Sequence, residues 1–568
     1  MKQENKLNNT AAQVVLKAVK KFLKNDFENA GCWISESGFY VEFKSSKSIS
    51  LNDFPKLEKE IKKIISSGEK IEILANNVSK LNKYQKHICH ENKNAKLIKI
   101  GKDFESLSNY EIEDNVNKVK FFELINVGGS YWQNNSKLDQ LTRISGICFK
   151  TKEELDAWKV HVEEMKKSDH RKIGQDMEIF AFSNDIGQGL PIWLPNGETI
   201  KKEIKNFLKN VFNKEKFFYV DTPILGSKEL YVKSGHWEHY KENNFPPMEI
   251  DNETFMLRPM TCPHHITLYN LKPHSYKELP YYICEDSKLH RYESSGGLIG
   301  LERVRSMELF DCHVITATNQ IEDVILKLND ILNLVYKKMG IKIDRVDLSL
   351  RDPKDKVKYH NDEKMWKSSE EQLRQILKKL NYKNTVEMEG EAAFYGPKID
   401  FQAKSNLGKI ITISTIQLDF LLPERFDVTY IDEKNQKQRP VLIHFGVIGT
   451  YERFIATLLS QTKGNLPLWL APIQISIIPV NNKIHLNYCK KILNKLENKN
   501  MRIKLDDSDE RLSKKIREAQ ISKIPYQLVI GDNELKNKTV SYRLYSSDEV
   551  KTKSLEKFVN DLENQINK

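Results

Sequence analysis

In the segment LRPMTCPHHITLYN, residues 257–270, one cysteine, one proline and two histidines interrupt an otherwise apolar run. Three chemistries suit Cys262. A thiolate with imidazoles ligates zinc, an activated thiolate is a nucleophile, and a free cysteine also packs as a small buried hydrophobe. A local metal hairpin needs a second ligand two to four residues away and a further pair downstream. His264 and His265 lie near enough, but C-P-H-H alone does not make a site. Any partners of Cys262 must come from elsewhere in the chain. A second cluster, HICH at residues 87–90, reads as solvated or structural.

The elements that would position such residues are visible as patterns. YGPKIDFQAK and KIITISTIQLDFLL flank SNLG, which predicts a β-hairpin with Gly408 in its turn. Side chains alternate along a strand, so Lys398, Asp400 and Gln402 share one face, as do Thr415, Gln417 and Asp419. Such a face is either solvated or the floor of a substrate site. TKEELDAWKVHVEEMKK, residues 151–167, has helical periodicity in Leu155, Trp158, Val162 and Met165, with a capping box from Thr151 to Glu154. It predicts a linker helix and a domain boundary near residue 170. A second boundary falls near residue 467, in NLPLWLAP. Beyond it IQISIIPV, MRIKLD and YQLVIGD read as strands and YCKKILNKLENK and RLSKKIREAQIS as helices, which predicts a small α/β domain.

Composition bounds the function. The 568 residues suffice for about three or four domains. With 39% hydrophobic and 30% charged residues, packed domains are expected rather than disorder. The seven scattered cysteines do not form a disulfide framework and fit reduced thiols. No apolar run reaches the roughly 18 residues of a membrane span, and no signal peptide is visible. A cytoplasmic protein with no membrane association is expected. The net charge of +12 suits a polyanion, although lysine is spread along the chain and forms no distinct basic arm.

Three spaced pieces carry a resemblance. EKFFYVDTPIL ends near Pro223; CEDSKLHRYESSGGLIGLERVRSMELFDCHVI holds Arg291, Glu293, Arg303 and Arg305; GVIGTYERFIATLL holds Arg453. In order and content they resemble motifs 1, 2 and 3 of the class II aminoacyl-tRNA synthetases. More narrowly, MTCPHH, DCH, AAFYGPKIDF, TIQLDF and VLIHFGVIGTYERF look like the threonyl-tRNA synthetase family, from about residue 169 to the C-terminus. The resemblance implies ATP-dependent activation of threonine and its transfer to tRNA(Thr), with ATP, Mg²⁺, L-threonine and tRNA(Thr) as partners and a homodimer built around Pro223. It implies that Arg291 holds the α-phosphate and the substrate carboxylate, that Arg303 and Arg453 hold the γ-phosphate end, and that Glu293 and Met307 meet the adenine. Arginine suits this because its planar fork grips phosphate oxygens in two places.

The same resemblance answers the opening question: Cys262, His313 and His444 correspond to the ligands of one Zn²⁺. Thiolate plus two imidazoles leaves open positions for the amine and hydroxyl of threonine. A site that engages a hydroxyl can reject an analogue lacking it by about 10⁴-fold or more, which would exclude valine. Asp311 matches the acceptor of the substrate ammonium, Tyr395 and Lys398 line the pocket, and Gln417 lies near ATP and the tRNA end. Two departures stand out. Leu309 replaces a glutamine of the family and His264 a glycine, the latter reducing backbone freedom. Rival readings are another class II synthetase of prolyl or seryl type, or a non-catalytic tRNA-binding relative. The Cys262–His313–His444 set opposes the first, and the three retained arginines oppose the second.

The implied fold is α+β. Residues 1–150 resemble a degraded editing domain, 151–168 a linker helix, 169–467 the antiparallel-sheet catalytic domain and 468–568 an α/β anticodon-binding domain. In the last, Glu534 and Arg543 match readers of anticodon bases. The chain starts at the helix that follows the family's leading module. There, Asn9 and Gln13 occupy the positions of an H-x-x-x-H pair, and the later cysteine-histidine segment is missing around NYEIEDNVNKVKFFELINV. Amides cannot replace imidazole as a general base, so editing of seryl-tRNA is expected to be absent.

Overall fold

The computed structural model describes residues 2–35, 38–74, 81–135, 137–404 and 408–567. The chain divides into two compact units, Met1–Glu164 and Met165–Lys568. In the first, helix α1 (Lys2–Leu23) packs on an antiparallel sheet of β1 (Glu28–Ser35), β2 (Gly38–Lys44), β3 (Phe121–Tyr131) and β4 (Gln140–Phe149), ordered β1-β2-β4-β3. Ala12, Val15, Leu16 and Val19 of α1 meet Phe39, Val41, Phe43 and Ile144 of the sheet in one core. A separate three-stranded sheet (Ile71–Leu74, Lys96–Ile100, Phe104–Ser108) completes the unit.

Helix α2 (Lys152–Lys167) starts where expected. Thr151 Oγ1 accepts the Glu154 N–H and the Glu154 carboxylate accepts the Thr151 N–H, both at 3.2 Å. The boundary between the units falls inside this helix rather than after it. Of its apolar stripe Leu155 is buried, and Trp158, Val162 and Met165 are half-buried.

The second unit is built on an eight-stranded sheet. Its helix α3 (Pro195–Lys214) precedes β5 (Phe218–Tyr219), β6 (Tyr281–His290), β7 (Ser306–Thr316), β8 (Arg345–Leu350), β9 (Thr385–Glu389), β10 (Lys398–Lys404), β11 (Ile410–Asp419) and β12 (Val441–Thr450). The order is β5-β6-β7-β12-β11-β10-β8-β9. The central pairings are antiparallel, and only the two edge strands run parallel to their neighbours. In α3, Ile200, Ile204, Leu208 and Phe212 recur every four residues and are fully buried. The Phe212 ring packs on Phe310 of β7 at 4.7 Å and on Phe445 of β12 at 6.3 Å, which seats the helix on the back of the sheet.

The predicted hairpin is β10–β11. Lys398 pairs with Gln417 and Asp400 with Thr415, so the two polar rows do share a face. A bulge after Phe401 then brings Gln402 opposite Thr412. Gly408 has φ +77°, the left-handed conformation a turn demands; residues 405–407 of the predicted turn lie outside the described residues.

The C-terminal sheet holds β13 (Ile475–Pro479), β14 (Ile503–Leu505), β15 (Tyr526–Ile530), β16 (Thr539–Leu544) and β17 (Val550–Ser554), ordered β14-β13-β15-β16-β17. The first three in that order are parallel, as the alternating pattern implies, and β16 and β17 add antiparallel strands. That hairpin is silent in the sequence because VKTKS is a polar edge strand with an exposed Lys551 and a half-buried Lys553, a pattern that protects sheet edges from pairing.

Candidate active site and metal centre

Cys262 opens helix α4 (Cys262–Tyr269), with Pro263 in its first turn. His313 lies on β7 directly opposite His444 on β12. One ligand atom from each of the three lies within 4.8 Å of the others, and all three side chains are buried. Helix and strands thus converge three residues that stand 51 and 131 positions apart.

The outer nitrogens of both imidazoles are held. His444 Nε2 donates to Asp419 Oδ2 at 2.8 Å, and Asp419 Oδ1 is itself fixed by the N–H groups of Leu421 and Leu422. His313 Nδ1 meets His265 Nδ1 at 2.8 Å, and His265 Nε2 meets Glu285 Oε2 at 3.1 Å. A carboxylate therefore ends each chain of hydrogen bonds, the arrangement that orients metal-binding histidines. With the outer protons committed, His313 Nε2 and His444 Nδ1 confront each other at 2.9 Å with their lone pairs. A shared cation relieves that contact. Burial, reinforced by the neighbouring imidazoles, lowers the His313 pKa well below the ordinary histidine range, so it is neutral as a ligand must be. Burial raises the Cys262 thiol, and His236 Nε2 lies 3.6 Å from its sulfur. The residues present fit a zinc ion. His265, Glu285, Asp419 and His236 were not foreseen as supports; only C-P-H-H hinted at the first.

Asp311, two residues before His313, is 5% exposed, and its Oδ2 has no hydrogen-bond partner. Burial raises its pKa. A buried carboxylate with an unfilled acceptor is suited to an incoming ammonium. Tyr395 stacks on His444 at 4.8 Å and donates to Gln417 Oε1 at 2.6 Å, and so joins the metal trio to the neighbouring cavity.

That cavity has a volume of about 610 Å³, and Arg291, Met307, Leu309, Lys398, Gln417 and Arg453 are among its walls. Arg453 sits in the first turn of helix α5 (Tyr451–Thr462), whose N-cap Thr450 accepts the Arg453 N–H. Its Nε donates to the Glu302 carbonyl at 3.2 Å. Burial first, then the charges of Arg291 and Arg303, disfavours the cation at Arg453. Arg291 and Arg453, both lining this cavity, present clustered cations that fit a polyanion such as a triphosphate. Lys398 Nζ donates to Asp400 Oδ2 at 2.6 Å, as their shared face requires. Arg303 and Glu293 are not among the lining residues; they pair with each other at 3.2 Å. Leu309 does line the cavity, so an apolar side chain stands where an amide was expected. His264 lies inside α4, where the helical backbone accommodates a β-carbon and the reduced backbone freedom carries no strain.

In the C-terminal domain Glu534 Oε2 accepts the Gly531 N–H at 2.9 Å and Oε1 accepts the Ser541 hydroxyl at 2.6 Å. Arg543 Nε donates to Gln527, and its buried Nη2 has no partner. In the N-terminal unit Asn9 and Gln13 are fully buried. Asn9 Nδ2 donates to Ser108 Oγ at 2.7 Å, and Gln13 Nε2 donates to the Leu107 carbonyl at 2.7 Å and to Cys32 Sγ at 3.1 Å. Neither amide lines the cavity of about 400 Å³ in that unit whose walls include Trp33, Tyr40, Trp132 and Arg143, nor the one of similar volume beside Ser108 and Tyr110.

Comparison with known proteins accords with this geometry. Residues 247–462 match the tRNA synthetase class II core domain (G, H, P, S and T), and residues 474–565 match an anticodon binding domain. The threonine-tRNA ligase of Ureaplasma parvum serovar 3 is 49% identical over 100% of this chain and 99% of its own. Threonine-tRNA ligase 1 of Bacillus subtilis is 42% identical over 97% of this chain and 87% of its own. A crystal structure described as the RNA binding domain of threonyl-tRNA synthetase from Cryptosporidium parvum superimposes with a TM-score of 0.65 at 32% identity, covering 70% of this chain and 98% of that one. The chain belongs to the threonine-tRNA ligases, class II enzymes that charge tRNA with threonine.

Proposed function

We propose that this ligase selects threonine through one zinc ion held by Cys262, His313 and His444, and works as a cytoplasmic homodimer that has lost editing. The observation that supports the metal is the trio itself, three buried donors within 4.8 Å backed by Asp419 and, through His265, by Glu285. When bound, zinc supplies open positions for an amine and a hydroxyl, which threonine offers together and valine does not. Asp311 takes the substrate ammonium. Arg291 grips the α-phosphate and the threonine carboxylate, so the attacking oxygen and the phosphorus are held in line. Arg453 and Arg303 offset the negative charge at the far end of ATP, as bound magnesium would, and Glu293 and Met307 meet the adenine. Tyr395, Lys398 and Gln417 close the wall between the amino-acid and nucleotide ends. Positioning and charge neutralisation carry such a reaction.

Residues 169–467 form the catalytic domain in this reading. Residues 468–568, with Glu534 and Arg543, read the anticodon of tRNA(Thr), because acidic and guanidinium groups hydrogen-bond the edges of unstacked bases. Residues 151–168 are the connecting helix, and residues 1–150 descend from an editing domain. No described helix is long and apolar enough to cross a membrane.

The test is metal analysis beside ATP–pyrophosphate exchange with a panel of amino acids. The wild-type chain is expected to hold about one zinc and to activate threonine and serine but not valine. Cys262→Ser and His444→Ala are expected to lose zinc and threonine activation together. Zinc retained near one per chain in both variants sinks the ligand assignment.

A further inference from the structure

The pairing of β7 with β12 is interrupted on its way into the site. Asp311 pairs with Gly446, but the next paired position is Leu309 with Thr450. Three residues of β12, Val447 to Gly449, span a step that needs only Phe310 on β7, and Gly449 takes φ +58° there. Past Thr450 the chain turns into α5, so β7 has no ladder partner on that side from Glu308 onward. A buried strand N–H without an acceptor is costly.

The Glu452 side chain fills the gap. It is 3% exposed, and its Oε2 accepts the Glu308 N–H at 3.0 Å. Glu308 in turn points its carboxylate to Lys201, at 3.0 Å, and to Lys205, both on α3. Because strand side chains alternate, Met307 and Leu309 face the cavity on the opposite side. The residue after Glu452 is Arg453, which enters the same cavity. We infer that Glu452 is a positioning residue: its carboxylate replaces the missing ladder carbonyl and sets the distance between Arg453 and the Met307–Leu309 wall that the nucleotide must span. The threonine end does not depend on this clasp, since Asp311 and His313 lie where the regular ladder has resumed. An acceptor oxygen is what matters rather than charge, and burial already pushes this carboxyl up to about 7.

This inference rests on the proposed role of Arg453, and the experiment separates the two. Exchange kinetics with ATP and threonine varied independently are measured for Glu452→Ala, Glu452→Gln and Arg453→Ala, with bound zinc and hydrogen exchange of the peptide spanning residues 304–312. Glu452→Ala is expected to lower kcat/KM for ATP by about ten- to a hundredfold, to leave the threonine KM and zinc unchanged, and to speed exchange in that peptide. Glu452→Gln, which keeps an acceptor oxygen, is expected to restore all three readouts. An unchanged ATP dependence with unchanged peptide exchange in Glu452→Ala overturns the clasp. So does a Gln variant as impaired as the Ala variant, or a parallel loss of zinc and threonine affinity. A normal ATP dependence in Arg453→Ala, with faster peptide exchange in Glu452→Ala, instead overturns the nucleotide role of Arg453 and leaves the clasp standing.

Discussion

Arg291 shows how a single side chain is prepared for its task. It ends the path of β6 into the motif 2 loop, donates through Nε to the Pro259 carbonyl at 3.3 Å and sits over the Tyr240 ring at 5.4 Å. No ion pair to a carboxylate spends its charge among the described residues. Arg291→Ala is expected to leave the fold and zinc intact and to lower exchange activity by about three orders of magnitude, as loss of a charge-assisted contact at the reacting phosphate does. Near-normal kinetics in a folded variant would remove Arg291 from motif 2. Glu285 makes a second case. Burial alone would raise its carboxyl, but hydrogen bonds from His265 and Thr222 and the Arg258 guanidinium at 2.7 Å hold it down at about 2, against an ordinary 4.5. A carboxylate with a depressed folded pKa contributes stability above its ordinary pKa and loses it as pH falls toward the folded value. Thermal unfolding between pH 5 and pH 2 should therefore fall less steeply in Glu285→Gln than in the native chain. Equal slopes would show that Glu285 does not carry the acid sensitivity.

At the scale of elements, β5 leaves one edge of the main sheet without a partner strand, and the small sheet of Leu225–Ser227, Met248–Ile250 and Glu253–Leu257 follows it in the chain. Phe218, Ile224, Leu225, Val232, Met248 and Ile250 are all exposed there. Exposed apolar side chains of this kind suit the self-association proposed above. The surface lies around Pro223, where motif 1 was expected to build a dimer. Leu225→Asp with Ile250→Asp is expected to convert a sedimenting dimer to monomer without releasing zinc. A native chain that sediments as a monomer would rule the dimer out. The α2 stripe of Leu155, Trp158, Val162 and Met165 and the β10–β11 hairpin were legible because each obeys one period, that of a helix or that of a strand. The β7–β12 bulge was not legible, since no local pattern in VLIHFGVIGT says that three of its residues leave the ladder.

For the molecule as a whole, the N-terminal unit is the part whose editing chemistry is proposed to be lost. Its core is well formed around α1, yet the two positions that should face a hydrolytic site carry amides turned inward to backbone carbonyls and a thiol. Serine differs from threonine by one methyl, worth about 1–3 kcal/mol in a pocket, or roughly 10–200-fold. Zinc cannot add to that, because serine has the same amine and hydroxyl. The enzyme is therefore expected to charge serine at a measurable fraction of the threonine rate and to leave pre-formed seryl-tRNA(Thr) intact. Deacylation well above the spontaneous rate would restore editing to this unit.

The amino-acid order by itself determined the helices and strands with clean periodicity, because these depend on short spacing, whereas Cys262, His313, His444 and the arginines were singled out by their resemblance to a family's motifs, since C-P-H-H alone names no partner for Cys262. Only the tertiary structure decided which of them meet. Cross-strand register set His313 against His444, the α4 entry brought Cys262 to both, and the shared face of β11 and β12 placed Asp419 behind His444. It also paired Arg303 with Glu293 away from the cavity walls, and turned Glu452 back to a strand N–H that β12 had abandoned. Those outcomes follow from packing and from the need to satisfy every buried polar group, which are properties of distances between residues far apart in the chain.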